Sequence, residues 1–487
     1  MLLLITNSYL LQKNWQKLAL ISGALLLLFV TALSFLAWQI YRDSKELLQN
    51  LKSPTQIDAK ITQSLNSDID KLFSVLNLPL AGQVIKVFRL DFSPIKSEIQ
   101  ALISSSPTLA GDDGAKRYLI SFQNSAEARG TGGILGAYAL IELDKGNLKV
   151  LQTGSNASLA GMSLREIPVV MPAEFLKLYG KNPAILQNSN LSPHFPYGAQ
   201  VWLGLWKARY GQQLDGVIAV DPIALSYVLR ATGEIRLKSG EKITSENVVE
   251  ETLKNAYERY EKDNDARKQY LVDIMNATAA KLTKGEYSKI KMAKALRDGI
   301  KANRILIYST NKDAQAKLAA VKLGGELSLE DNNEYRTVIQ NIDASKLDYY
   351  LDRSVVIESK SCEKEKETQI RIRVTNTLKT GVGLSPYVLT RLDKGKPASL
   401  VTGAHRFKVF IYGPTNAKLL SVSRENRTAD LGGASVERKR PIYVADVDLA
   451  PGDSEELLAN FSGGVGNITF VDQPLVLETK LSIKDKC

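Results

Sequence analysis

The sequence predicts a mixed α/β protein in four parts: one membrane-spanning helix, a helical stalk, a central α/β domain and a C-terminal antiparallel β-sandwich of immunoglobulin-like architecture. Three observations carry this reading. Residues 18–40 contain no charged side chain; after Arg117 apolar strand-like runs alternate with amphipathic helical stretches; and beyond Ala344 the pattern shortens to alternating segments divided by Gly, Pro, Asn and Asp. At 487 residues, with 44% hydrophobic and 24% charged, the chain can bury several cores.

The first part is the clearest. Residues 18–40, at about 1.5 Å per residue, match a bilayer's hydrocarbon thickness, with Trp15, Trp38 and Tyr41 at the interfaces. Lys13 and Lys17 precede the run without an acid, whereas Arg42 and Lys45 after it are offset by Asp43 and Glu46. The positive-inside rule then expects residues 1–17 in the cytoplasm and the rest of the chain outside, on an uncleaved signal anchor in the cell membrane. Residues 41–110 follow as a stalk: Leu47, Leu51, Ile57, Ile61, Leu65, Ile69 and Leu72 recur at helical spacing, and Pro54, Pro79 and Pro94 divide it.

The α/β domain is expected over 115–345. Tyr118, Ile120 and Phe122 alternate as a first strand, a polar glycine-bearing turn follows, and the apolar run 134–143 reads as a strand buried on both faces, returning through Leu148 and Val150 after the turn 144–147. Trp202 and Trp206 sit at helical spacing and are expected to pack on the sheet. A second buried strand, 214–220, stops at Asp221-Pro222, a strong helix start. Long helices are expected over 245–283 and 288–302, a strand over 304–308 and a helix over 311–323. The sandwich is expected over 350–487, in segments such as 354–358, 368–375, 406–412, 443–449 and 475–483.

The net charge of +11, from 63 basic and 52 acidic residues, is spread along the chain without aromatic interleaving and does not point to nucleic acid. Cys362 and Cys487 lack zinc-site spacing. In an oxidising compartment they would form a disulfide, worth up to about 4–5 kcal/mol in the chain-entropy model; otherwise they are two thiols.

Candidate chemistry centres on Glu127, Arg129, Thr131, Gly132 and Gly133. Glycines before a buried strand let the backbone come close to something, while Glu127 and Arg129 read either as a structural ion pair or as ligand contacts. His194 and His405 fall in different expected domains, so a shared metal site is not expected. Asp221 reads as a helix cap.

The stretches NSAEARGTGGILGAYALIELDKG, PHFPYGAQVWLGLWKARYGQQLDGVIAVDPIALSYVLRATGEIRL and KLDYYLDRSVVIES resemble the bacterial membrane-anchored proteins of domain of unknown function 4012. More distantly, the order of elements is similar to that of LytR-CpsA-Psr proteins, which move lipid-linked glycopolymers onto peptidoglycan. That similarity implies that Arg129 and Arg267, with Arg259 nearby, face a pyrophosphate, and a transferase of this type would use Mg held by carboxylates such as Asp263 and Asp265. The chain departs from the pattern where Arg129 is followed by Gly130-Thr131-Gly132 rather than by the magnesium-binding Asp. The resemblance therefore implies binding of a lipid-linked polysaccharide precursor or cell-wall polymer, with phosphotransfer or a purely structural surface role as the alternatives.

Overall fold

The computed structural model describes residues 108–487 apart from 146, 163–165, 168, 181–184, 286, 331, 362–365, 390–400, 425–426, 429–432 and 487. The expected cytoplasmic segment, membrane helix and nearly all of the stalk lie outside the described residues, as do Cys362 and Cys487. Among the described residues no helix is long and apolar enough to cross a membrane. Residues 108–487 form one compact unit of mixed α/β class with several sheets.

The first sheet is built on a long hairpin of β1 (Lys116–Arg129) and β2 (Gly132–Asp144), continued by β3 (Asn147–Ser155). Here the structure corrects the sequence reading. Glu127 and Arg129 do not lie in a turn, because β1 runs through them and the turn is only Gly130-Thr131. Pairing slips between Asn124 and Ala128, so the strand bulges and its side chains are re-aimed there. The glycines serve close packing: a Cβ on Gly133 would lie 2.1 Å from the Asn124 carbonyl oxygen, and Gly132 has φ +125°.

Helix α1 (Ala173–Tyr179) and helix α2 (Phe195–Tyr210) precede β4 (Gly216–Val220), which runs parallel to β1. Asp221 then accepts the Ala224 N–H at 2.8 Å and starts α3 (Pro222–Thr232) as expected. The small hairpin β5 (Ile235–Arg236) and β6 (Lys242–Ile243) leads into a helical segment, 248–259. The expected single helix over 245–283 is broken at 260–263: this segment contains a π-helical turn at Glu251–Asn255, and α4 (Asn264–Lys284) restarts with Asp263 as its cap. After α5 (Lys289–Lys301), β7 (Ile305–Ser309) pairs antiparallel with β4, and α6 (Lys312–Ala320) follows. The strand order is β3-β2-β1-β4-β7. Trp202 and Trp206 of α2 are fully buried against Leu119, Leu140 and Val217, so the tryptophan pair is core, as its spacing predicts.

The rest is two sheets facing across a shared core. Their strands are β8 (Glu334–Asn341), β9 (Leu351–Ser361), β10 (Glu367–Asn376), β11 (His405–Tyr412), β12 (Lys418–Arg424), β13 (Arg427–Thr428), β14 (Ala434–Glu437), β15 (Arg440–Leu449), β16 (Ser454–Ser462), β17 (Thr469–Val471) and β18 (Lys480–Lys484). The orders are β13-β12-β16-β10-β9-β18 and β14-β15-β11-β8-β17. Val355, Ile357, Ile370 and Ile372 from one meet Phe407, Val409, Ile411 and Val447 from the other. Two features depart from the expected sandwich. β8 comes from the stretch assigned to the α/β domain yet pairs with β11, and β17 and β18 join in parallel to β8 and β9, so the layer is not wholly antiparallel. Ala128 of β1 belongs to this second core, which joins the two layers.

A pair of glycine variants tests this packing. Gly133→Ala is expected to cost about 2 kcal/mol or more in denaturant unfolding, because its Cβ would meet backbone, whereas Gly136→Ala, with nothing nearer than 3.7 Å, is expected to be close to neutral.

Candidate functional site

The end of β1 carries a buried charge cluster. Glu127 accepts the Arg129 Nη2–H at 3.0 Å and pairs through its other oxygen with Lys346, all three being about 5% exposed or less. Arg129 is otherwise spent on backbone: its Nε donates to Gln187 O at 2.8 Å, and its Nη1 donates to Ala128 O at 2.8 Å and Asn341 O at 3.1 Å. The structure thus makes Glu127 and Arg129 a structural pair. Burial opposes the Lys346 ammonium, but the Glu127 carboxylate outweighs it and holds Lys346 above its ordinary pKa. The neighbouring Ala128 N–H donates at 2.9 Å to Asp348, which also accepts Asn341 Nδ2 at 2.7 Å and lies 3.2 Å from His405 Nε2. Burial would raise Asp348, but His405 and these donors hold it below its usual range.

Beside this cluster lies a cavity of about 810 Å³. One side is the sheet, through Phe122, Asn124, Ile134 and Ala137; the other is α3, the helical segment and α4. On α4 the lining residues are 264, 267, 268, 271, 274 and 275, spacings of three and four that put them on one helix face. Leu225, Leu253, Leu271, Ile274 and Met275 make much of this wall apolar. Arg267, 3% exposed, enters from the same face. Its guanidinium lies 4.5 Å from the Tyr257 ring centre and 4.0 Å from that of Tyr387, and its Nη2 donates to Asn264 Oδ1. Its buried Nη1 has no protein partner. The two tyrosine rings stack on each other, their centres 5.7 Å apart, and the guanidinium packs beside both of them, which leaves its Nη1 N–H groups to meet an oxyanion in the guanidinium plane. The buried charged groups of the wall are then Arg129, Arg267 and Lys346 against Glu127.

Other expected site residues are elsewhere. Arg259 bonds Glu241 at 2.9 Å and Glu251 at 3.0 Å on the outer surface and does not line the cavity. Asp263 caps α4 through the Ala266 N–H at 2.9 Å, and the Asp265 side chain is 94% exposed. These two carboxylates are not brought together, and among the described residues no group of three or more His, Cys, Asp or Glu could hold a metal. Gln123 Oε1 accepts the Thr131 hydroxyl at 3.1 Å and the Gly133 N–H at 3.0 Å, so those groups face protein. Asp221 pairs with buried Arg304. His194 Nδ1 accepts the Leu327 N–H at 3.0 Å; burial, with Arg438 and Arg336 nearby, keeps it neutral.

Lys346 and Tyr387 escaped the sequence reading. Lys346 opens the stretch KLDYYLDRSVVIES, so the signal was present; Tyr387 had none.

Residues 113–257 match the family described as Protein of unknown function (DUF4012). The matched stretch begins just before β1 and ends at Tyr257, so it holds Glu127 and Arg129, while Arg267, Lys346 and Tyr387 lie beyond it. No curated protein matches the chain. A crystal structure of a candidate nutrient binding protein from Legionella pneumophila aligns with 28% of this chain and 45% of its own, at 9% identity and a TM-score of 0.14. This chain spans less than half of that protein, and so slight a likeness carries no argument.

The two arginines should behave oppositely. Arg129→Met is expected to cost about 3–5 kcal/mol of stability, since it leaves buried Glu127 with Lys346 alone and removes the donor to the Gln187, Ala128 and Asn341 carbonyls, while Arg267→Met is expected to leave stability unchanged or raised. Chemical denaturation of the two variants checks this.

Proposed function

We propose that this is an extracytoplasmic envelope protein, anchored by residues 18–40, whose cavity binds a lipid-linked or anionic glycopolymer precursor without turning it over. The observation that carries the reading is Arg267 Nη1, a buried donor without a protein partner beside an apolar wall. An amphiphile with a phosphate head answers both: its oxygens would take the in-plane donor and Lys346, and its hydrocarbon would cover Leu225, Leu271, Ile274 and Met275. The likeness to LytR-CpsA-Psr proteins drawn from the sequence makes an isoprenyl pyrophosphate the first probe.

Binding is favoured over phosphotransfer by the placement of acids. Transfer needs carboxylates free to hold a divalent cation at the phosphate. The acid among the cavity's lining residues is Glu127, already shared by Arg129 and Lys346.

The full chain in detergent is expected to bind geranylgeranyl pyrophosphate well above geranylgeraniol. Arg267→Gln or Lys346→Met is expected to weaken pyrophosphate binding about tenfold or more, the worth of one charge-assisted hydrogen bond, and to leave the alcohol unaffected. Equal binding of alcohol and pyrophosphate, or indifference to Arg267→Gln, would sink the reading.

A further inference from the structure

Three oxygens near the cavity form a closed triangle. Glu437, at the end of β14, is fully buried; its Oε2 lies 2.9 Å from the Tyr179 hydroxyl and 2.7 Å from the Tyr412 hydroxyl, and the two hydroxyls lie 2.8 Å from each other. Its Oε1 accepts the Ser192 hydroxyl at 2.7 Å, and Ser192 Oγ in turn accepts the His194 N–H at 3.0 Å. All of these partners of the carboxyl are hydroxyls, which stabilise a buried ion far less than a cation does.

Counting protons decides between the two forms of the acid. With Glu437 ionised, the triangle has three edges and two protons, so whichever way the hydroxyls turn, one pair of oxygen atoms no more than 2.9 Å apart faces each other with nothing between them. With Glu437 protonated on Oε2, each oxygen donates once and accepts once around the ring, and every edge is a hydrogen bond of ordinary length.

The surroundings agree. Glu174, on α1, adds negative charge and accepts the Arg438 N–H at 3.1 Å, while Arg438 Nε donates to Leu327 O at 2.7 Å. Arg440, facing Tyr412 from β15, lies 3.4 Å from Glu334, and Arg336 from β8 bonds the same carboxylate at 2.9 Å. His194, at the start of α2, is neutral, and Tyr197 beside it carries no charge at neutral pH. Burial raises the Glu437 carboxyl above its ordinary value.

We propose that Glu437 holds its proton at neutral pH and that the ring is a pH-sensitive latch fastening α1 to the second layer. Tyr179 is the α1 member of the ring, and with Leu178 it belongs to the cavity wall. Loss of the proton removes one edge, sets a carboxylate against two tyrosine oxygens and loosens that wall. The claim concerns the protein alone, so its failure is distinct from failure of the ligand reading.

The linkage has a definite sign. An acid whose folded form is harder to ionise contributes stability that is complete below its unfolded pKa, about 4.3, and is lost as pH rises through the folded one. Glu437→Gln cannot titrate, and its amide supplies a donor to the ring. Above about pH 4.3 the folding constant of the natural full chain is therefore expected to fall, by up to about tenfold per pH unit, relative to Glu437→Gln until the folded acid ionises. The infrared spectrum at neutral pH should show an un-ionised carboxyl band that Glu437→Gln lacks. Tyr179→Phe, which removes two edges, should shift that band and flatten the slope. Parallel stability curves, no such band in the natural protein, or a band and slope unmoved by Tyr179→Phe would overturn the proposal.

Discussion

The structure depends on one buried carboxylate with two cations. Glu127 lies between Arg129, two residues along the same strand, and Lys346, from the segment after β8. Charges taken out of water are expensive unless each is paired and its remaining bonding capacity is met. Here that condition can be met only if the end of β1 lies against the second layer, because Lys346, the Asn341 carbonyl and Asp348 all come from there. The ion cluster thus fixes where the two layers meet. Ala128 carries this contact into the apolar core of the second layer.

The arginines of this region divide by what remains of their hydrogen-bonding capacity. Arg129 has its Nε, Nη1 and Nη2 all engaged, and it orients Glu127 rather than offering itself to a ligand. Arg259 is committed on the outer surface to Glu241 and Glu251. Arg267 alone of these three lies beside the cavity with a buried nitrogen lacking a protein partner. Residue type and spacing cannot make this distinction, which depends on where the acceptors of other elements fall.

Much of the scaffold was readable because it is local. The run 134–143, the Asp221-Pro222 start and the tryptophan pair each announce themselves by period or capping chemistry, and each is found as expected. What could not be read is non-local or irregular. The bulge that keeps Glu127 and Arg129 in a strand resembles a loop in sequence, since its residues are small, polar and followed by glycines. β8 is not read as a strand and falls within the span given to the first domain, because its pairing partner is about seventy residues away. The π-helical turn at Glu251–Asn255 and the break at 260–263 have no distinct composition, and an amphipathic pattern reads straight across them. Lys346 meets Glu127 from more than two hundred residues along the chain, and Tyr387 meets Arg267 from more than a hundred.

Three costs coincide around the cavity, and their coincidence argues that it is kept for a purpose. A π-helical turn has poorer backbone bonding than an α-helix, and this one carries Thr252 and Leu253 of the wall. Arg267 is buried with a donor that nothing in the protein satisfies, a penalty of about 1–3 kcal/mol that a methionine there would avoid. The cavity itself forgoes the dispersion contacts that larger side chains on α3 and α4 would supply. A fold selected for stability alone has no reason to keep all three. An occupant with an anionic group and a hydrocarbon body would offset the second and third together.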